Sequence, residues 1–170
     1  MAASETIDLD RLELRPGEAR SLDVELDPGS LDYGGEQYES GPRDGRLDVS
    51  RTAAGYALRL RFEALLEGPC MRCLTDAGVD VSVDAREVDQ PGSGEELESP
   101  YVKAGELRVA AWAHDALALA LPPRLLCRAE CAGLCAVCGE SLNDAEPGAH
   151  EHERPPDPRW NKLRELRLDR

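Results

Sequence analysis

"YALRLRFEALLEGPCMRCLTDAGVDVSVDAR", residues 56–86, holds the reading on which the fold turns. In its first part Tyr56, Leu58, Leu60, Phe62 and Ala64 alternate with Arg59, Arg61 and Glu63. In its last part Val79, Val81 and Val83 alternate with Asp80, Ser82 and Asp84. A period of two over this length marks a strand with one buried and one wet face. Two such strands joined by "LLEGPCMRCLTDA" predict an antiparallel hairpin with Cys70 and Cys73 at its tip.

The tip leads to the other cysteines. "CRAECAGLCAVCG", residues 127–139, packs four of the six into a C-x3-C-x3-C-x2-C run. A C-x2-C pair chelates because a tight turn aims two sulfurs at one point and leaves backbone N–H groups free to hydrogen-bond the thiolates. Two such pairs, Cys70/Cys73 and Cys135/Cys138, together with Cys127 and Cys131 at helical i, i+4 spacing, point to zinc. Gly133 and Gly139 suit knuckle turns. The competing readings are small buried hydrophobes, redox thiols or a disulfide.

A closed structural zinc site takes four ligands, which six cysteines do not divide evenly. His150 and His152 in "AHEH" raise the candidates to eight, enough for two tetrahedra. In one partition Cys70, Cys73, Cys127 and Cys131 pin the hairpin tip to the end of a helix, and Cys135, Cys138, His150 and His152 form a second, local site. In another the two C-x2-C knuckles share a metal and leave Cys127 and Cys131 to a partial site. The spacing leaves both open, at one or two zinc ions per chain. It leaves the two histidines equally readable as solvated side chains.

Outward from these motifs, residues 18–26 and 46–51 show short alternation, and the Gly-, Pro- and acid-rich stretch between them reads as a loop. "DQPGSGEELESPYVKAG" reads as a polar linker. "ELRVAAWAHDALALALPP" places Val109, Trp112, Ala116 and Leu119 or Ala120 on one helical stripe, closed by Pro122 and Pro123, with His114 at its surface or core edge. "PPDPRWNKLRELRLDR" reads as a short C-terminal helix capped at Asp157, with Trp160, Leu163 and Leu166 along one side. The expected architecture is α+β: a small antiparallel sheet with a helix packed on it, a zinc-knuckle region and that final helix. Residues 1–126 form the body and 127–170 the cysteine-rich segment with its helix, as one folding unit.

The chain has 170 residues, a net charge of −14 and a pI near 4.6. Its general field therefore repels phosphates and anionic membranes and favours a basic partner. Residues 154–170, at net +3, are a local exception. The most apolar stretch is interrupted by His114 and Asp115 and closed by Pro122 and Pro123, which argues against a membrane span, and "MAASETIDLD" has no cationic start followed by an apolar run. The expected location is the cytosol. No Ser/His/Asp arrangement, phosphate-binding glycine loop or paired carboxylates at a recognisable spacing is present, and no ligand vacancy suggests a catalytic metal, so no enzyme activity is expected. A small-molecule substrate is likewise not expected.

"LDRLELRPGEAR", "GPCMRCL", "ALALALPPRLLCRAECAGLCAVCGESLN" and "DPRW", in that order, resemble the YceD family, also called DUF177. The resemblance implies a bacterial, non-enzymatic factor needed for accumulation of 23S ribosomal RNA during large-subunit assembly, with a ribosomal protein or rRNA of the precursor as partner. It carries the family's cysteine motifs onto Cys70, Cys73, Cys127, Cys131, Cys135 and Cys138. Many relatives follow "LN" with a C-x-C pair; here His150 and His152 come after a longer spacer. Arg outnumbers Lys eighteen to two. Arg59, Arg61, Arg72, Arg124 and Arg128, with Arg159, Lys162, Arg164 and Arg167 of the tail, are the candidates for local RNA contact.

Overall fold

The alternation of residues 56–86 becomes the spine of the molecule. In the computed structural model, which describes residues 5–146 and 148–152, strands β6 (Tyr56–Pro69) and β7 (Asp76–Asp89) pair antiparallel without a break from Tyr56↔Asp89 to Pro69↔Asp76. Both are longer than the alternation alone predicts, because pairing continues through "LLEGP" to the foot of the cysteine turn. On the other side of β6 lies β5 (Arg43–Arg51), and beyond it β2 (Ala19–Leu26). The expected α+β class holds: antiparallel sheets with one helix, α1 (Val109–Ala120), among the described residues. The expected C-terminal helix falls outside them.

Two stretches read as irregular are ordered. Residues 27–45 contain a hairpin of β3 (Ser30–Tyr33) and β4 (Glu36–Glu39), turned at Gly34 and Gly35, which both have positive φ. The pair of glycines between Tyr33 and Glu36 is a hairpin signal that the surrounding acids and prolines obscure. The supposed linker contains a 3-10 turn at Glu95–Leu97 and strands β8 (Val102–Lys103) and β9 (Glu106–Leu107). These join β1 (Ile7–Asp8) in a second, three-stranded sheet of order β1-β9-β8. Strands of two residues carry no readable period, so only long-range pairing reveals them.

The chain groups into two compact units, Met1–Cys131 and Ala132–Arg170. In the first, the inner sheet face stacks Leu47, Val49, Leu58, Leu60, Phe62, Ala64, Leu66, Val81 and Val83 into a continuous core with Leu9, Leu107 and Leu125. Helix α1 packs on β7 and buries Val109, Trp112, Ala113, Ala116 and Leu117. The stripe therefore runs through Ala113 and Leu117 and not through Leu119, which is 89% exposed. His114 sits at the core edge, its Nδ1 2.8 Å from the Pro28 carbonyl oxygen. Tyr101 stacks on Trp112 with ring centroids 6.2 Å apart. Among the described residues of the second unit, an antiparallel bridge pairs Leu134 with Ser141.

The outer sheet face is a mosaic of charge. Arg59 donates two bonds to Asp84, at 2.7 and 2.6 Å, and Arg61 donates one to Asp48 at 2.5 Å. Ser21 Oγ also donates to Asp48, at 2.5 Å. Such exposed pairs contribute at most about 1 kcal/mol each, so the fold rests on the inner face and the outer pairs serve mainly to neutralise it.

Near the cysteine end, Tyr38 of β4 lies with its ring on Gly68 of β6, and its hydroxyl donates to the Pro69 carbonyl at 2.8 Å. A Cβ at Gly68 would strike that buried ring and approach the Gln37 carbonyl at 3.0 Å. Gly68→Ala is expected to lower stability by about 1–3 kcal/mol, as overpacking does, read as a drop in thermal midpoint. Gly78→Ala, whose added Cβ meets only the flexible Leu65 Cδ1 at 3.3 Å, should leave the midpoint unchanged or raise it. A second prediction concerns pH. The Ser21 hydrogen bond, outweighing the effect of burial and assisted by Arg61, holds the Asp48 carboxyl below its ordinary value. The stability this confers is complete above the unfolded carboxyl's value near pH 4 and is lost as pH falls through the lower folded value. Denaturant midpoints of the native protein and Asp48→Asn should thus differ by a constant amount from about pH 5 to 7 and converge in acid.

Candidate metal centres

The turn between β6 and β7 is built by backbone hydrogen bonds that the sequence dictates locally. Cys70 N–H donates to the Thr75 carbonyl at 2.8 Å, and Leu74 N–H donates back to the Cys70 carbonyl at 2.9 Å. The second knuckle repeats the pattern residue for residue: Cys135 N–H to the Glu140 carbonyl at 2.7 Å, and Gly139 N–H to the Cys135 carbonyl at 2.9 Å. Both need a left-handed residue just after the second cysteine. Gly139 supplies it at φ 77° without cost, whereas Leu74 adopts φ 61° with a full side chain. That conformation costs a non-glycine residue about 1–2 kcal/mol, which the surrounding ladder must offset.

The chain returns to the first knuckle after α1. Met71 N–H donates to the Leu125 carbonyl at 2.9 Å and Leu125 N–H reaches Met71 Sδ at 3.4 Å, so residue 125 is clamped to the tip and Cys127 and Cys131 follow within reach. Cys70 and Cys131 sulfurs lie 3.8 Å apart, those of Cys73 and Cys127 3.6 Å, and all four sulfurs fall within 4.8 Å of one another. None is in a disulfide. Four sulfurs about 2.3 Å from a central tetrahedral ion would sit about 3.8 Å apart along each edge, so the donor set fits a divalent metal of that size. Cys70 and Cys131 are fully buried and Cys73 nearly so, the setting of a closed site.

In the second unit, Cys135, Cys138, His150 and His152 bring their ligand atoms within 4.8 Å of one another. Cys138 Sγ lies 3.4 Å from His150 Nδ1, close to the roughly 3.6 Å expected for a sulfur and a nitrogen on one tetrahedral ion. Leu142 N–H to the Gly133 carbonyl at 2.8 Å and Ala132 N–H to Asn143 Oδ1 at 2.8 Å close the loop. His150 Nε2 lies 3.9 Å from Glu140 Oε2, beyond hydrogen-bond length. Cys138 and His152 are exposed. The two groups could each hold a metal ion, one deep and one superficial.

Electrostatics agree with the geometry. The Thr75 hydroxyl, 3.0 Å from Cys73 Sγ, and the Thr75 backbone lower the Cys73 thiol to about 6. Cys127, desolvated and facing the other thiols, is pushed up to about 12. Burial raises Cys70, but backbone N–H groups of Arg72, Cys127 and Cys73 outweigh it and bring the thiol below its ordinary value. Four thiols this close cannot all ionise without a cation among them; with one, all four do. In the second group the N–H groups of Cys138 and Val137 lower Cys135 to about 6.

All eight residues singled out in the sequence fall into these two groups, in four and four. Thr75, Glu140 and Asn143 are contributors that motif spacing does not reveal, since each acts through a hydrogen bond visible only in the folded turn. Of the arginines suggested for RNA contact, Arg59 and Arg61 are engaged by Asp84 and Asp48, while Arg72, Arg124 and Arg128 are exposed around the first knuckle and its return segment. Arg159, Lys162, Arg164 and Arg167 fall outside the described residues.

Comparison with known proteins places these groups in a family. Uncharacterized protein Rv2926c of Mycobacterium tuberculosis is 33% identical over 98% of this chain and 83% of its own length. Uncharacterized protein ML1660 of Mycobacterium leprae is 38% identical over 57% of this chain and 46% of its own. No solved structure matches the chain. The family described as large ribosomal RNA subunit accumulation protein YceD matches residues 58–167, a span that begins in β6 and takes in all eight candidate ligands. The chain belongs to the YceD family.

Proposed function

We propose that this protein is a cytoplasmic, non-enzymatic zinc-binding factor that supports accumulation of 23S ribosomal RNA during assembly of the large ribosomal subunit. The observation that carries the reading is the coincidence of the family match with both metal-compatible groups inside its span. The ribosomal role comes from what the family's name says of its members. Zinc is favoured over other metals by a donor set of thiolates and imidazoles at tetrahedral spacing. Cys70, Cys73, Cys127 and Cys131 would hold one ion, and Cys135, Cys138, His150 and His152 a second. Neither set leaves a position for a reacting water, so the metal's contribution is structural: it binds the hairpin tip to the segment after α1. Among the described residues no helix is long and apolar enough to cross a membrane, in keeping with a partner in the precursor particle, a ribosomal protein or rRNA. The net charge of −14 favours the basic protein over the RNA.

Protein purified reduced and without chelator should carry about two zinc per chain by elemental analysis. Cys70→Ser with Cys131→Ser should leave about one zinc and lower the thermal midpoint sharply. Cys135→Ser with Cys138→Ser should also leave about one, with a smaller loss of stability because that site is superficial. Metal-free protein bearing labile Cys135–Cys138 disulfides would instead establish a redox switch. For the ribosomal role, depletion in the source cell should reduce 23S rRNA and 50S particles relative to 16S and 30S; unchanged ratios would remove it.

A further inference from the structure

The strand that carries the knuckle has an open side. β7 pairs with β6 along its whole fourteen-residue length, and its opposite edge pairs with no other strand among the described residues. Two devices that often blunt such an edge are missing: β7 contains no proline, and its register shows no bulge. Along this edge runs a groove of about 340 Å³ between β7 and α1. Val83, Asp84, Ala85, Arg86 and Glu87 all line it. No residue of β6 lines it, so the groove opens on the side of β7 away from its paired neighbour. Its far wall is Tyr101, Trp112, Ala116 and Ala120, with Leu119, 89% exposed, at the mouth.

Charge selects the occupant. β7 carries Asp76, Asp80, Asp84, Glu87 and Asp89 against Arg86 alone. Glu87, drawn into the groove, has its carboxyl raised by burial, with a Ser99 hydrogen bond opposing and Asp89 nearby reinforcing the rise. Among the described residues no ion pair engages Glu87, so its charge lacks a cationic partner at the groove wall. The last turn of α1, which supplies Leu119 and Ala120 to the groove, has no basic residue. A second copy of the chain would set five acids of β7 against five more, and a polynucleotide would bring phosphates to them. Both are opposed electrostatically.

We infer that the edge of β7 and the β7–α1 groove bind an extended, arginine- or lysine-rich polypeptide segment by strand addition. Backbone hydrogen bonds to β7 would supply affinity, and alternate cationic side chains would lay their apolar stems past Ala116 and Ala120 and bring their charged heads to Glu87, which lines the same groove. The inference goes beyond the ribosomal reading and stands without it, because it rests on one unit's geometry and is tested with a peptide alone.

The test is a titration of the full-length, metal-loaded, isotope-labelled protein with the acetylated, amidated peptide RVRVRVR, followed by amide NMR. Saturable binding is expected, with shifts and slowed hydrogen exchange concentrated in residues 83–88. Glu87→Gln should weaken it several-fold and Ala120→Arg, at a partly exposed position, at least tenfold, while circular dichroism shows both variants folded. The inference is overturned if EVEVEVE binds as well, if the shifts fall elsewhere, or if Ala120→Arg leaves affinity unchanged. It is also overturned if the same amides shift with protein concentration, marking self-association. Deletion of residues 153–170 provides a last arm: if it alone shifts these amides, the chain's own tail is the occupant and the inference fails.

Discussion

Fourteen consecutive antiparallel pairs between β6 and β7 are the constraint from which the rest follows. A ladder of that length, buried on one face along its run, has a single register, because a slip of one residue would turn Leu58, Leu60, Phe62 and Leu66 into solvent. With register settled, the turn between Pro69 and Asp76 stands at a defined place, and so do the sulfurs of Cys70 and Cys73. The same ladder orients Gly68 under Tyr38, leaves β7 as an edge, and offers α1 the inner face on which it packs. Site, buttress and groove are consequences of one pairing.

The knuckle at its end concentrates several unfavourable features. Leu74 is held in a left-handed conformation, Cys127 is a desolvated thiol pressed toward neutrality, and Cys73 is drawn toward thiolate beside it. Strain and mismatched protonation persist only where something over-determines them. Here the hydrogen bonds of the Cys70 turn, the clamp between Met71 and Leu125, and the buried core on either side do so. A divalent ion would turn the remaining mutual repulsion of the thiols into four coordinate bonds. The second knuckle solves the same turn with a glycine and meets its partners through short local contacts. It forms a shallower site with the same backbone geometry.

The acidity of the chain is distributed to purpose. On the outer sheet face, Arg59 and Arg61 are paired with Asp84 and Asp48. Along β7 the acids are in excess and one of them lies half-desolvated in a groove. For a chain of net charge −14, basic segments are the natural counter-charge. A negative, open strand edge is a physically economical way to hold a basic extended segment.

The hairpin, its cysteine tip, the helix before the double proline and the α+β class were legible in the sequence, since each rests on a local period or a fixed spacing: two for Tyr56 to Phe62, C-x2-C for Cys70 and Cys73, three and four for Val109, Trp112 and Ala116. The family, too, was legible in its cysteine string. What the sequence left open was whatever depends on segments far apart in the chain. Residues 30–39 look like a loop until Tyr38 finds Gly68, residues 102–107 look like a linker until Leu107 meets Ile7, and Leu119 looks buried until the sheet shows which side of α1 it covers. The grouping of the eight candidate residues into four and four was likewise decided by the tertiary structure. Sulfurs attract no partner by their spacing in sequence, and only the packed core brings Cys131 to within 3.8 Å of Cys70 across sixty-one positions.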